Sequence, residues 1–371
     1  MTPSVVISGS GLWKPDHSIS NEELVEAYNA YAIQFNQQHQ IAIEQEEFNA
    51  KPLSSAAFIE KASGIKSRHV YIKDGILDIN RMRPKIPERS EEELSDQAEM
   101  AIHAAKDALK AANKTPEDID VVIVSCAYTQ RSYPALAIEV QGALGIKGFA
   151  FDMLVACSAA TFALHRAYEM IAAGTAKGVL VINPELTSPQ INFCDRDSHF
   201  IFGDVCTAAV IEKDSKSPNK FKILNAKLKT HFSNNIRNNF GFMNYIENKE
   251  YTEEELLFVQ NGRSVFKEVM PMVASLISDH LEENNLLPDQ VEQYWLHQAN
   301  INMNTYVIKK LLGDDFPPER APNVLDEYAN TGSAGSLISF HKYNHLTAGQ
   351  KGIICSFGAG YSICSILVEK A

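Results

Sequence analysis

The stretch DMLVACSAATFALHRAYEMIAAG, residues 152–174, runs from an apolar segment into a helical pattern and places a cysteine at the junction. DMLVA reads as a strand, and SAATFALHRAYEMIAAG has helical spacing closed by Gly174, a residue suited to a left-handed cap. A strand feeding a helix through a short turn is the building unit of an α/β fold. Cys157 occupies that turn, so its sulfur stands at a helix N-terminus. Unpaired N–H groups and the helix dipole favour an anion there, and such a site can draw a thiol from about 8.5 toward 7 or below. A small thiol packed beside Ala156, Ala159 and Ala160 would give the same pattern, so partners elsewhere must decide.

Outward from this junction, the chain repeats itself. Residues 100–127 lie over residues 272–299 without gaps, with six of 28 positions identical, and each copy reads as an amphipathic helix, a proline followed by acidic residues, and a short apolar strand. A second echo links FGDVCTAAVIEK (202–213) to FGAGYSICSILVEK (357–370), each with a glycine turn before a strand. Apolar runs at 121–125, 179–183, 295–297 and 352–357 alternate with helical patterns, which predicts mixed sheets covered by helices. Two related α/β halves follow, residues 1–214 and 215–371, divided in the polar stretch DSKSPNK. Two segments, 29–51 and 232–252, read as additions to this core, the first as a surface elaboration.

The composition narrows the class of function. With 371 residues, 45% of them hydrophobic and 22% charged, the chain has the make-up of a soluble globular protein with a sizeable core. It shows no apolar run of bilayer length and no charged-then-apolar leader, so a cytoplasmic location is expected. Six cysteines form neither a CxxC pair nor a zinc spacing, so free thiols and no metal are expected. A net charge of −12 argues against nucleic acid, and docking of an acidic partner would need a local basic patch.

Three further sites carry candidate chemistry. His297 ends the apolar YWLHQAN just before the helical INMNTYVIKKLLG, where a strand tip faces a helix start, although a histidine satisfied in the core would read alike. Asn330 precedes the small-residue run TGSAGS, which lets another backbone approach, although asparagine there is also a common turn residue. SFGAGYS, 356–362, is a glycine turn at a strand start, able to aim a backbone N–H at a neighbouring oxygen.

Together LVACSAATFAL, DRDSHFIFGD, WLHQAN, YANTGSAGS and SFGAGYSICSILV stand in the order and spacing of the condensing enzymes of fatty-acid synthesis. The chain closely resembles a β-ketoacyl-acyl-carrier-protein synthase III. The resemblance implies a thiolase-like fold of five αβαβα layers from two related halves, usually a homodimer. It implies Cys157 as the acylated nucleophile, His297 and Asn330 as ligands of the malonyl thioester, and the N–H groups of Cys157 and Ala359 as the oxyanion hole. Acyl-CoA and malonyl-acyl-carrier protein are the implied substrates, with no cofactor and neither nucleic acid nor membrane as partner. Cys–His–His synthases would need a histidine at Asn330, and thiolases a cysteine in the last glycine turn; this chain has neither. An acyltransferase of the same fold that forms no carbon–carbon bond is the alternative, and it would not need Asn330.

The sequence departs from the family in two places. Phe58 and Ala62 stand where a tryptophan and an arginine often hold the adenine of coenzyme A, so Phe58 is expected to stack without that cation. The basic residue after HQAN is Asn302, which leaves Arg237, Lys309 or Lys310 for docking the carrier protein. Tyr133 matches a position that reaches into the partner's acyl pocket. The long segment with Phe232, Phe240, Phe242 and Met243 is expected to wall an apolar tunnel, with Phe240 in contact with substrate, and to favour a medium-chain primer.

Overall fold

The computed structural model describes residues 4–214, 216–238 and 256–371. Nine strands form one continuous sheet: β1 (Val5–Trp13), β2 (Val121–Cys126), β3 (Phe149–Leu154), β4 (Gly178–Glu185), β5 (Val205–Lys213), β6 (Phe221–Ser233), β7 (Gln293–Leu296), β8 (Lys351–Gly358) and β9 (Gly360–Lys370). Their order is β7-β8-β9-β6-β1-β5-β4-β2-β3. The pairings mirror one another about the β1–β6 junction. β2 runs parallel to β4 as β7 does to β8, β4 antiparallel to β5 as β8 to β9, and β5 antiparallel to β1 as β9 to β6.

The internal repeat therefore has a structural counterpart. Short 3-10 turns begin at the aligned Pro116 and Pro288, and the strands that follow begin at the aligned Val121 and Gln293. We propose residues 1–214 and 215–371 as its two units. They do not separate into independent bodies, because β1 pairs with β6 through Val6–Lys222 and Ile7–Phe221 and the sheet continues across the boundary.

Side chains alternate across the strands and so build the layers. From β2, Val121 and Ile123 point into a central core with Ala160, Ala163, Leu164 and Ala167 of α5 (Ala159–Ala172) and Leu337 and Phe340 of α8 (Gly335–Lys342). Val122 and Val124 point the other way, onto α3 (Asp96–Ala112) and α4 (Leu136–Leu144). On the other half, Tyr294, Leu296 and Ile353 pack against α6 (Gly262–Glu283) and α7 (Ile301–Leu312). Helices, the β2–β5 side of the sheet, the buried helices, the β6–β9 side of the same sheet and helices make the five layers of a thiolase-like fold. Burial of each such Val, Leu or Ile contributes about 1.5–3 kcal/mol, so the central pair of helices is held firmly on both faces.

Each of the two central helices begins with a 3-10 turn, Ala156–Ser158 before α5 and Gly332–Ala334 before α8. These turns are symmetry counterparts, and both face the same region between the halves. The expected helix after Cys157 is present, with Gly174 at φ 76 just past its end. The glycine turn of 356–362 stands at the start of β9, as expected, and closes a tight hairpin that joins β8 to β9.

The addition at 29–51 continues α1 (Asn21–Gln38) and a short helix Gln40–Glu44. It is tied down: Lys51 Nζ donates to the Cys194 carbonyl at 3.0 Å and lies over the Phe35 ring at 4.9 Å. Of the second addition, β6 extends to Ser233, and residues 239–255 lie outside the described residues.

β7 carries His297 at its end, and its position depends on Trp295, which is fully buried in the central core. Gly352 of β8 lets this indole lie against the strand, since a Cβ there would come 2.2 Å from the Trp295 ring. Gly352→Ala is expected to cost about 1–3 kcal/mol by overpacking, read as a lower midpoint in denaturant unfolding. It should also lower activity through displacement of His297.

Candidate active site

The nucleophile candidate is set by its turn. Cys157 lies in the 3-10 turn that opens α5 and abuts Gly358 at the end of β8. Ser158 Oγ donates to the Ser362 carbonyl at 2.8 Å, which ties this turn to the β8–β9 hairpin. The N–H groups of Ala359 and of Cys157 itself point at the sulfur.

The expected low thiol pKa is not found. Burial pushes the Cys157 thiol up to about 12, the charge of Glu185 adds to the rise, and the two amides offset only part of it. The residue keeps partial exposure, onto the cavities beside it. Desolvation of a thiolate outweighs the helix terminus here because the turn is enclosed by both halves.

His297 follows β7 directly, and its N–H donates to the Cys355 carbonyl at 2.8 Å, which extends the strand pairing by one residue. Its ring is buried and meets Phe357 edge-on at 5.2 Å. Burial lowers its pKa to about 4, so the imidazole is neutral at physiological pH. Nδ1 has no hydrogen-bond partner among the described residues, and the ring borders the cavity. A neutral imidazole with its proton on Nε2 presents a donor, not a charge, to whatever enters.

Asn330 is buried and bridged to Phe202, with its N–H on the Ile201 carbonyl at 3.0 Å. Its Oδ1 accepts from Gly332 N–H at 3.1 Å. That fixes the amide and leaves Nδ2 without a partner among the described residues.

Two cavities meet at Cys157. The first, of about 450 Å³, is lined by Cys157, His297, Asn330 and Phe357 at its inner end and by Ala62, Asn300 and Asn302 farther out. The second, of about 650 Å³, is lined by Cys157, Ala359, Thr187, Phe202, Ile236 and Phe258 among others. The structure thus brings together Cys157, His297, Asn330 and Ala359, residues that lie far apart in sequence.

The remaining expected site residues are placed differently. Phe58, on α2 (Ala56–Ser63), does have a cation: the guanidinium of Arg196 lies 3.8 Å from its ring centroid. The expectation of a lost cation is corrected, since the positive charge comes from a segment distant in sequence. Arg237 lines the second cavity. Lys309 pairs with Asp314 at 3.1 Å, and Lys310 lies over Tyr306 at 5.7 Å.

Tyr133 is 83% exposed. Phe232, also 83% exposed, lies in neither of these two cavity walls. Phe240, Phe242 and Met243 lie outside the described residues. Phe202 and Phe258 supply apolar wall instead, packed edge to face at 4.8 Å. Phe258 closes the long segment expected to wall the tunnel, past its Asn-rich run.

Comparison with known proteins shows the family and the fold. Residues 151–231 match the family model for 3-oxoacyl-[acyl-carrier-protein (ACP)] synthase III, and residues 281–370 match the model for its C-terminal part. A β-ketodecanoyl-[acyl-carrier-protein] synthase of Pseudomonas aeruginosa is 52% identical over 349 residues, covering 93% of this chain and all of that protein. A β-ketoacyl-[acyl-carrier-protein] synthase III of Methylococcus capsulatus is 30% identical over 85% of this chain and 91% of its own. Among solved structures, the 3-oxoacyl-[acyl-carrier-protein] synthase III of Aquifex aeolicus shares the fold at a TM-score of 0.74 and 24% identity, covering 99% of each chain. The priming β-ketosynthase of the R1128 polyketide pathway shares it at 0.79 and 21%, covering 100% of this chain and 97% of its own.

The raised thiol makes a direct prediction. Alkylation of Cys157 by iodoacetamide in the free protein should rise about tenfold per pH unit from pH 7 to 10 with no plateau, because only the thiolate reacts. A plateau below pH 8 would show that the helix terminus dominates burial.

Proposed function

This chain belongs to the 3-oxoacyl-[acyl-carrier-protein] synthase III family of condensing acyltransferases, and on that premise we propose which residues perform the reaction and which primer it takes. The observation that carries the proposal is that Cys157, His297 and Asn330 line one cavity while a second cavity opens on the same sulfur.

Cys157 is the nucleophile. It attacks the carbonyl of an acyl-CoA, the N–H groups of Cys157 and Ala359 hold the developing oxyanion, and coenzyme A leaves carrying the thiol proton. In the ground state burial keeps the thiol protonated, so the same amides act where charge appears, in the tetrahedral intermediate. Malonyl-acyl-carrier protein then brings its thioester arm into the first cavity. Loss of CO2 leaves an enolate, whose oxygen takes hydrogen bonds from neutral His297 and from Asn330 Nδ2. Removing one donor of this kind costs about 3–4 kcal/mol of barrier. The enolate carbon attacks the acyl carbonyl and expels Cys157, which regains one proton from solvent.

Asn330 favours condensation over simple acyl transfer, since transfer alone needs no second donor to an enolate. The outer wall of the first cavity, close to the stacked Phe58 and Arg196, suits the nucleotide end of coenzyme A. Lys309 and Lys310 on α7 offer the carrier protein positive charge near Asn302, which stands at the cavity mouth. β3 is the outermost strand and exposes Phe149 and Leu154. A homodimer formed along this edge would cover them and bring Tyr133 toward the partner. No described helix is long and apolar enough to cross a membrane, and a cytoplasmic setting accords with the substrates.

For the primer, the Pseudomonas relative's name specifies a ten-carbon product, and condensation adds two carbons, which sets an eight-carbon acyl group. The second cavity, with Phe202, Ile236, Leu256 and Phe258 in its wall, is the place for that chain. Each added CH2 buried there contributes about 0.8 kcal/mol. We expect kcat/KM for octanoyl-CoA to exceed that for acetyl-CoA at least tenfold in an assay with malonyl-acyl-carrier protein; preference for acetyl-CoA would sink the medium-chain assignment. Mass spectrometry after incubation with octanoyl-CoA should find the adduct on Cys157 alone and none in Cys157→Ser. Asn330→Ala should still acylate but lose malonyl decarboxylation about 100- to 1000-fold, and near wild-type decarboxylation would favour plain acyl transfer.

A further inference from the structure

Glu185, the last residue of β4, is a fully buried carboxylate that the reaction above does not use. It receives Ser333 N–H at 2.9 Å and Ser333 Oγ–H at 2.5 Å, and Ala127 N–H at 3.2 Å to each oxygen. Ser333 lies in the 3-10 turn before α8, and that turn also supplies the Gly332 N–H that fixes Asn330 Oδ1. Gly332 has φ 55, and a Cβ there would fall 2.8 Å from a Glu185 oxygen, so the backbone is drawn tightly onto the carboxylate. Ala127 begins a stretch, with Tyr128, Thr129 and Gln130, that walls the second cavity. One side chain therefore grips the turn that orients Asn330 and a wall of the second cavity.

We propose that Glu185 is a positioning residue for the malonyl half-reaction, holding Asn330 in the orientation that receives the enolate. The proposal rests on the functional reading given above for Asn330. Three donors converge on the carboxylate, and two oxygens accept them all. Glutamine at this position has one acceptor oxygen and turns an NH2 toward N–H groups, so at least one donor is released and the turn loosens. Loosening the turn affects the Asn330 step and leaves the Cys157 amides, which belong to a different turn, in place.

A second consequence gives the test its sign. The ionised carboxylate also acts on the Cys157 sulfur, adding to the burial that raises the thiol. Other groups facing Glu185 are Asp204 at the entry to β5, Cys126 at the end of β2, Tyr128 just beyond it, and Cys206 in β5. Burial lifts the Glu185 carboxyl to about 7, against the pull of the Ser333 and Ala127 donors. Neutralising it should hinder the malonyl step while making Cys157 easier to ionise.

The experiment compares wild type with Glu185→Gln in separate half-reactions. Decarboxylation of malonyl-acyl-carrier protein by octanoylated enzyme should fall at least tenfold, mostly in kcat. Octanoylation of Cys157 should not fall, and iodoacetamide alkylation at pH 8 should rise at least threefold. The decarboxylation rate of wild type should climb with pH through about 7, and this limb should be missing in the variant. Should Glu185→Gln fail to fold, Ser333→Ala removes one donor and keeps the charge. It should lower decarboxylation in the same direction and leave alkylation unchanged. Equal loss in both half-reactions, or no loss in either, overturns the role of Glu185. A wild type that acylates yet never decarboxylates malonyl thioester overturns the condensation reading itself.

Discussion

The contact on which the site depends is between the turn at Cys157 and the β8–β9 hairpin. Ser158 reaches across to the Ser362 carbonyl, Gly358 lies against Cys157, and the Ala359 amide faces the sulfur. The two partners belong to different halves of the chain. The electrostatic environment of Cys157 is thus completed only when the halves are packed together, and the buried helices α5 and α8 hold them there. Without that packing, Cys157 is a thiol at one helix end and the Ala359 amide is part of a distant hairpin.

The same enclosure determines the charge states. Burial holds Cys157 protonated and His297 neutral, so the resting site presents a thiol, an imidazole and an amide, none of them charged. In the proposed reaction charge appears only during turnover, first on the oxyanion and then on the enolate, and each time fixed donors already face the place where it develops. Preorganised neutral donors in a dry site act more strongly than the same groups in water, because they need not reorient and water does not screen them.

The sequence displayed the fold and the central residues because both are written in local patterns. The aligned Pro116 and Pro288 begin equivalent turns, and Cys157, His297 and Asn330 each sit at the end of a strand or beside a tight turn that can be read in a few residues. What escaped reading crosses the chain. Arg196 reaches Phe58 from another segment, Glu185 grips Ser333 and Ala127 from a third strand, and neither pairing leaves a mark in either stretch alone. The raised thiol has the same origin: a helix terminus is visible in sequence, whereas the depth at which it is buried depends on the other half.

The two cavities that meet at Cys157 also impose an order of traffic. In the proposed reading, the acyl chain occupies the second cavity throughout, whereas coenzyme A and the carrier protein's arm must use the first in turn. Coenzyme A has to withdraw before the malonyl group enters, so free coenzyme A competes with the carrier protein for the same cavity. The rate of chain initiation then responds to the ratio of acylated to free coenzyme A, with no regulatory site required for that response.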